Sequence, residues 1–206
     1  MNSIADILKL SPVMPVLTIE DARDAVPLAA ALIEGGLRVL EVTLRTDAAL
    51  AAIATIARDL PDAIVGAGTV QGPRLLDEAR CAGARFAVSP GLSDALSEAA
   101  KGSGFPFLPG IATASEAMRG LDQGFTHFKF FPAESMGGVQ TLSAFAGPLP
   151  QARFVPTGGI TQANAPDYLA LANVVAVGGT WLAPKALIEA RDWAAIAGLA
   201  RAASAL

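Results

Sequence analysis

Lys129 is the residue whose surroundings most call for a chemical explanation. It lies in His127-Phe-Lys-Phe-Phe-Pro132, a strand-like aromatic run. Strand alternation puts it on one face with His127 and Phe131 and sends Phe128 and Phe130 to the other. If the shared face looks inward, the ammonium must be paired or lose its proton, because desolvation lowers a lysine pKa from about 10.4, by up to several units at full burial. A neutral amine attacks carbonyl groups, which is what Schiff-base catalysis requires. A lysine paired with a buried carboxylate for purely structural reasons would leave the same pattern. The other lysines, Lys9, Lys101 and Lys185, fall in helices or loops, where a solvated ammonium is expected.

Glu41 is embedded in the same way, in Val39-Leu-Glu-Val-Thr-Leu-Arg45, on the face opposite Leu40 and Val42. It is the candidate carboxylate to neutralise Lys129 at rest and move protons during turnover. Its structural alternatives are a partner for Arg45 or a satisfied core carboxylate. Arg45 lies just beyond that strand, where a guanidinium fork can receive a carboxylate or phosphate; as a surface arginine it needs no explanation. Gly66-Ala-Gly-Thr69 ends the next strand with small residues and a hydroxyl, which lets a ligand approach the backbone, although turn geometry explains it equally. The glycine pairs of Pro156-Thr-Gly-Gly-Ile160 and Val177-Gly-Gly-Thr180 follow the last two strands, where backbone N–H groups in a turn can converge on an anion. His127 points the same way as Lys129 but two residues deeper, so it reads as structural. Cys81, at a helix end with no adjacent base, reads as inert.

These side chains need elements to hold them. Short runs rich in Val, Ile and Phe at 13–17, 39–43, 64–67, 86–89, 107–109, 127–131, 154–157 and 174–178 read as strands. Ala/Leu-rich helical stretches starting near Ile19, Asp47, Pro73, Ser93, Thr113, Gly137 and Ala163 separate them, and a last helix covers 192–203. Residues 3–10 read as an extra short helix. Thr113-Ala-Ser-Glu116 is a capping-box pattern, Ser93 and Asp47 are good N-caps, and Gly35-Gly36, Gly83, Gly102 and Gly124 stand where helices end. Eight strand-then-helix units predict one domain over residues 1–206, an α/β (β/α)8 TIM barrel with an extra N-terminal helix, whose chemistry sits at the C-terminal strand ends. An open doubly wound sheet is the rival, but no G-x-G-x-x-G pattern follows the first strand.

Composition narrows the partners. Of 206 residues, 52% are hydrophobic and 17% charged, which excludes a disordered or collagen-like chain. Apolar character comes largely from 43 alanines, and the longest uncharged apolar stretch, 168–184, is broken by Asn173, Gly178, Gly179 and Pro184. A membrane span needs roughly 20 apolar residues in a row, so no membrane partner is expected. The start, MNSIADILKL, lacks the features of a secretory signal, which points to the cytoplasm. A net charge of −4 without a basic block argues against nucleic acid. One cysteine and one histidine cannot form a disulfide or an ordinary zinc site.

The segments EVTLR, VGAGTV, SPGL, FKFFPAE, PTGGI and GGTWL, in this order and spacing, closely resemble the 2-keto-3-deoxy-6-phosphogluconate (KDPG) aldolase family, whose broader group also takes 4-hydroxy-2-oxoglutarate (KHG). The similarity runs from the PVMPV strand to the final helix. It implies a class I, metal-independent aldolase, a carbon–carbon lyase without a cofactor, on a (β/α)8 barrel that assembles as a homotrimer. Its partners are then small molecules, a phosphorylated 2-keto acid and pyruvate. By the same resemblance Lys129 forms the Schiff base, Glu41 shuttles protons, and Arg45 and Thr69 hold the pyruvyl carboxylate. Gly158, Gly159 and Thr180 hold the phosphate, and Pro90 and Phe131 line the pocket. Thr180 stands where serine is frequent, which narrows the space around the phosphate, and a bulky Met136 follows the FPAE segment, which leaves aldehyde-side specificity open. The alternatives are the galactonate epimer or KHG as substrate, a phosphosugar epimerase or isomerase without a Schiff base, and a non-catalytic phosphosugar-binding barrel.

Overall fold

The computed structural model describes residues 3–206. Helix α1 (Ile4–Leu8) opens the chain, N-capped by the Ser3 side chain, which accepts from the Asp6 N–H. Strands β1 (Val13–Leu17), β2 (Val39–Thr43) and β3 (Ile64–Gly68) follow, separated by α2 (Ala25–Glu34) and α3 (Ala49–Asp59). Helices α4 (Pro73–Cys81), α5 (Asp94–Ser103) and α6 (Ala114–Asp122) then alternate with the short strands β4 (Ala87–Val88), β5 (Phe107–Leu108) and β6 (Gly110–Ile111). The last third carries β7 (His127–Phe130), α7 (Gly138–Ala146), β8 (Arg153–Pro156), α8 (Ala165–Leu169), β9 (Val177–Gly179), α9 (Lys185–Glu189) and α10 (Trp193–Ser204).

Every ladder is parallel. One sheet runs β5-β4-β3-β2-β1-β9 and a second runs β6-β7-β8, so the molecule is an α/β fold with a curled parallel sheet. Pro109 alone separates β5 from β6. It has no N–H for a ladder, and the segment changes partners there: Leu108 pairs with Val88, and Gly110 pairs with Lys129. The sequence reading has one strand at 107–109; the structure divides the segment in two. Single parallel bridges also link Phe154 with Val174 and Thr157 with Gly178.

Alternation along the strands builds two apolar layers. Leu40, Val42, Val65, Phe128, Phe130 and Phe154 join the large core beneath the helices. Phe130 packs edge-on against Phe145 of α7 at 6.2 Å between centroids, and Phe128 and Phe154 have no exposed surface, each such burial contributing roughly 1.5–3 kcal/mol. The opposite faces contribute Met14, Val39, Ile64, Phe86, Val88, Leu108 and Val155 to a second cluster, against which Ile7 and Leu8 of α1 pack. Two residues farther along three of these strands come Val16, Glu41 and Thr157. The second cluster is therefore the dry floor on which the functional side chains stand.

Two of the helix starts legible in the sequence carry the expected side-chain caps, and a third does not. The capping box is formed, the Glu116 N–H donating to Thr113 Oγ1 and Glu116 Oε2 accepting from the Thr113 N–H, and Ser93 caps α5. Asp47, read as a cap, is not one: α3 begins at Ala49 and no side chain caps it. Gly102 lies inside α5, and the left-handed residue that ends that helix is Gly104, with φ +63°. Helix α9 is absent from the sequence reading, because five residues behind Pro184 are too few to show a periodic apolar face.

Candidate active site

Strands β2 and β7 belong to different sheets, yet their central residues meet. Lys129 Nζ donates to Glu41 Oε1 at 3.0 Å across 88 residues of sequence. Glu41 is completely buried and Lys129 is 4% exposed. The second carboxylate oxygen, Oε2, is buried without a protein partner. Removing two charges from water costs several kcal/mol per ion, so such a pair is weak as a source of stability and strong as an indication of chemistry. Glu41 therefore pairs with Lys129, while Arg45 turns elsewhere: its Nε donates to Thr69 Oγ1 at 3.1 Å.

Glycines shape this centre. A Cβ on Gly68 would strike the Glu41 carboxyl group, and one on Gly66 would lie 2.5 Å from the Phe86 ring. The small residues of Gly66-Ala-Gly-Thr69 thus admit side chains from neighbouring strands, where the sequence reading gave the space to a ligand. Thr69 takes φ +60°, a left-handed conformation that costs a non-glycine residue of order 1–3 kcal/mol and that gathers at functional sites.

Lys129 opens onto a cavity of about 220 Å³ whose wall includes Arg45, Phe131, Gly158, Gly159 and Thr180. The Phe131 ring centroid is 5.4 Å from Nζ. Gly158 and Gly159 follow β8 as a true turn with φ +100° and +79°. The second glycine pair differs from the sequence reading: Gly178 and Gly179 lie within or at the end of β9 itself, where a Cβ would collide with the Thr157 side chain and the Trp181 ring. Pro90 stands farther out, its backbone against Gly110, the ladder partner of Lys129. Met136 is 37% exposed on a 3₁₀ turn, away from the cavity wall. His127 is half-buried at the start of β7, its ring Nδ1 3.0 Å from Thr126 Oγ1; burial first, then Arg153 and Lys9, keep it below its ordinary 6.5. Cys81 is exposed.

Sequence reasoning missed Thr157. It is buried, lines the same cavity, and stands two residues beyond Val155, the ladder partner of Lys129, so strand period puts it on the inward face and the register brings it beside the lysine. Val16 and Ile160 complete the apolar part of the wall. A larger groove of about 380 Å³ meets this cavity at Val16 and Thr180, but its remaining walls lack a buried nucleophile.

A buried lysine amine on the wall of a small cavity, a carboxylate with an unpartnered oxygen behind it, a nearby guanidinium and a glycine turn are the kinds of group that an addition to a carbonyl needs. Residues 4–199 match the profile of the KDPG and KHG aldolases. The chain belongs to that family. A 2-dehydro-3-deoxy-phosphogluconate aldolase of Pseudoalteromonas atlantica is 54% identical over 98% of this chain and 94% of its own. The KDPG aldolase of Legionella pneumophila, solved with pyruvate captured as a covalent carbinolamine, superposes with a TM-score of 0.96 at 46% identity, covering 98% of each chain. The 2-keto-3-deoxy-6-phosphogluconate aldolase of Zymomonas mobilis, solved with 3-phosphoglycerate, gives a TM-score of 0.95 at 50% identity over 100% of this chain and 96% of the other. In this KDPG/KHG family member no helix among the described residues is long and apolar enough to cross a membrane.

Proposed function

We propose that this chain is a class I aldolase that cleaves KDPG to pyruvate and glyceraldehyde 3-phosphate through an imine on Lys129. The observation that carries the reading is the buried Lys129–Glu41 pair, whose lysine lines the cavity while the carboxylate stands directly behind it. Passing one proton from Nζ to Oε1 gives an uncharged amine and a carboxylic acid without moving net charge out of the site. The amine adds to the C2 ketone to form a carbinolamine. Glu41 returns its proton to the departing hydroxyl, water leaves, and a protonated imine remains. The Glu41 carboxylate then takes the C4 hydroxyl proton, and the C3–C4 bonding electrons flow into the imine to give a neutral enamine and the free aldehyde. Glu41 hands the proton to enamine C3, and water hydrolyses the resulting imine to pyruvate and Lys129.

Arg45 and Thr69 hold the substrate carboxylate, Gly158, Gly159 and Thr180 the phosphate, and Phe131 and Pro90 confine the carbon chain, so that the scissile bond aligns with the imine π system. The covalent pyruvate of the Legionella relative supports the imine, and the 3-phosphoglycerate of the Zymomonas relative supports a phosphate end. The reading extends to a single 1–206 domain on a closed eight-stranded barrel. Its supports are the near-continuity of β5 and β6 and the Thr157–Gly178 bridge. A homotrimer, on the family resemblance, and a cytoplasmic location, on the lack of secretory-signal features in MNSIADILKL, complete it. Coupling pyruvate release from KDPG to lactate dehydrogenase tests the activity: turnover that survives a strong chelator is expected, and stoichiometric ligand-induced stabilisation without product would replace the aldolase by a binding protein.

A further inference from the structure

Among the polar contacts that the mechanism leaves unused, one borders the phosphate turn. Tyr168 of α8 is completely buried, and its hydroxyl donates to Glu134 Oε1 on the 3₁₀ turn after β7. Burial and the Glu134 carboxylate keep that phenol protonated by raising its pKa, so it remains a donor. Two left-handed glycines make room for the contact, and a third lets the turn approach the loop. A Cβ on Gly138, at φ +54°, would lie 2.6 Å from Tyr168 Oη, and one on Gly159 would lie 2.5 Å from Glu134 Cγ. One on Gly158 would lie 3.2 Å from Pro132 Cα. Backbone bonds run along the same seam: the Ala133 N–H donates to Thr157 O at 2.8 Å and the Glu134 N–H to Gly158 O at 3.1 Å. On the far side of the turn, Asn164 Nδ2 donates to Gly159 O at 3.1 Å.

We propose that Glu134 and Tyr168 are positioning residues that brace the Gly158–Gly159 turn against the loop carrying Phe131, fixing the phosphate end of the cavity relative to the Lys129 nucleophile. The inference rests on the phosphate role given to that turn above. Glu134 fills the space a side chain at 159 would take, and Tyr168, anchored in the large apolar core, holds the Glu134 carboxylate so that this filler stays in place. The brace acts on the turn through van der Waals contact with Gly159, while Lys129, Glu41, Arg45 and Thr69 make their side-chain hydrogen bonds among themselves and not to Glu134 or Tyr168.

The test compares two reactions of the full-length protein. Tyr168→Phe and Glu134→Ala are expected to raise KM for KDPG about tenfold, the equivalent of about 1.4 kcal/mol, and to weaken 3-phosphoglycerate binding by the same factor. Their exchange of pyruvate C3 protons with deuterated water should keep the wild-type rate. Glu134→Gln, which retains the acceptor for Tyr168, should restore most of the KDPG affinity. An unchanged KM and 3-phosphoglycerate affinity in both variants would overturn the brace, as would an equal loss of pyruvate exchange. If Tyr168→Phe does not fold, the exposed Glu134 carries the test by itself. Failure of the wild-type protein to exchange pyruvate protons would count against the aldolase reading, whereas wild-type exchange with unaltered phosphate affinity in the variants counts against the brace alone.

Discussion

Gly68→Ala would disturb the proton carrier without replacing either member of the reacting pair. The new methyl carbon would stand 2.7 Å from Glu41 Cγ and 2.8 Å from Cδ, with Oε1 nearer still. Reaching ordinary contact at 3.4 Å requires Glu41 Cδ to retreat by about 0.6 Å and Oε1, the atom that accepts from Lys129 Nζ, by about twice that. Strand β3 is buried on both sides, so the strain has no exit toward solvent. Overpacking of this kind costs about 1–3 kcal/mol, and a misplacement approaching 1 Å near reacting atoms can cost about 10²-fold in rate. The expected result is a lower urea midpoint and a kcat reduced by about two orders of magnitude in the pyruvate-coupled assay, with KM for KDPG changed much less. Gly72→Ala is the control: its backbone is extended at φ −175° and a Cβ there meets nothing within 4 Å, so the only expected cost is that of a poorer N-cap for α4, about 0.5–1 kcal/mol, with kcat unchanged. A Gly68→Ala protein that is destabilised but turns over at the wild-type rate would show that the carboxylate's position is irrelevant to catalysis.

Three other perturbations separate stability from chemistry. Glu41→Gln keeps the shape and an acceptor for Nζ but removes the base, so kcat should fall by about 10²–10⁴-fold while pyruvate affinity, measured by calorimetry, changes little; undiminished turnover would remove Glu41 from the mechanism. Gly198→Ala fills open space on an exposed position of α10 and should raise unfolding free energy by about 1 kcal/mol; a lower urea midpoint would contradict the packing described for that helix. His127 is held below its ordinary 6.5 in the folded state, so the unfolded chain takes up that proton first and native stability falls as pH drops from about 6.5 through the folded value. Thermal melting of His127→Gln across this window should show a shallower decline than the wild type, and parallel curves would assign the acid sensitivity elsewhere.

The site was legible where a charge interrupts a period-two apolar run. Lys129 between Phe128 and Phe130, and Glu41 between Leu40 and Val42, announce their inward faces because strand alternation is a local property. Their meeting at 3.0 Å is not local, and it depends on how far the parallel sheet curls. The same distinction explains the misread glycines. Gly66, Gly68, Gly178 and Gly179 look like turn residues within their own segments, but they lie in or at the end of strands, and the space each leaves is filled by Phe86, Glu41, Thr157 or Trp181, for all but Gly179 from a strand or the residue beside one; Gly178 and Gly179 nonetheless line the cavity. Helix starts with a reciprocal cap, such as Thr113 with Glu116, were readable from four residues. Asp47 failed as a cap because the chain continues in a turn to Ala48 before the helix begins. The Tyr168–Glu134 contact joins helix α8 to the 3₁₀ turn after β7 through glycine vacancies and has no trace in periodicity or spacing.

Sodium borohydride added in the presence of pyruvate tests the central claim most directly. The account predicts irreversible loss of activity and a 1-carboxyethyl group on the Lys129 side chain, located by peptide mass spectrometry, with Lys9, Lys101 and Lys185 unmodified. An unmodified Lys129 under conditions where calorimetry shows pyruvate bound would contradict it.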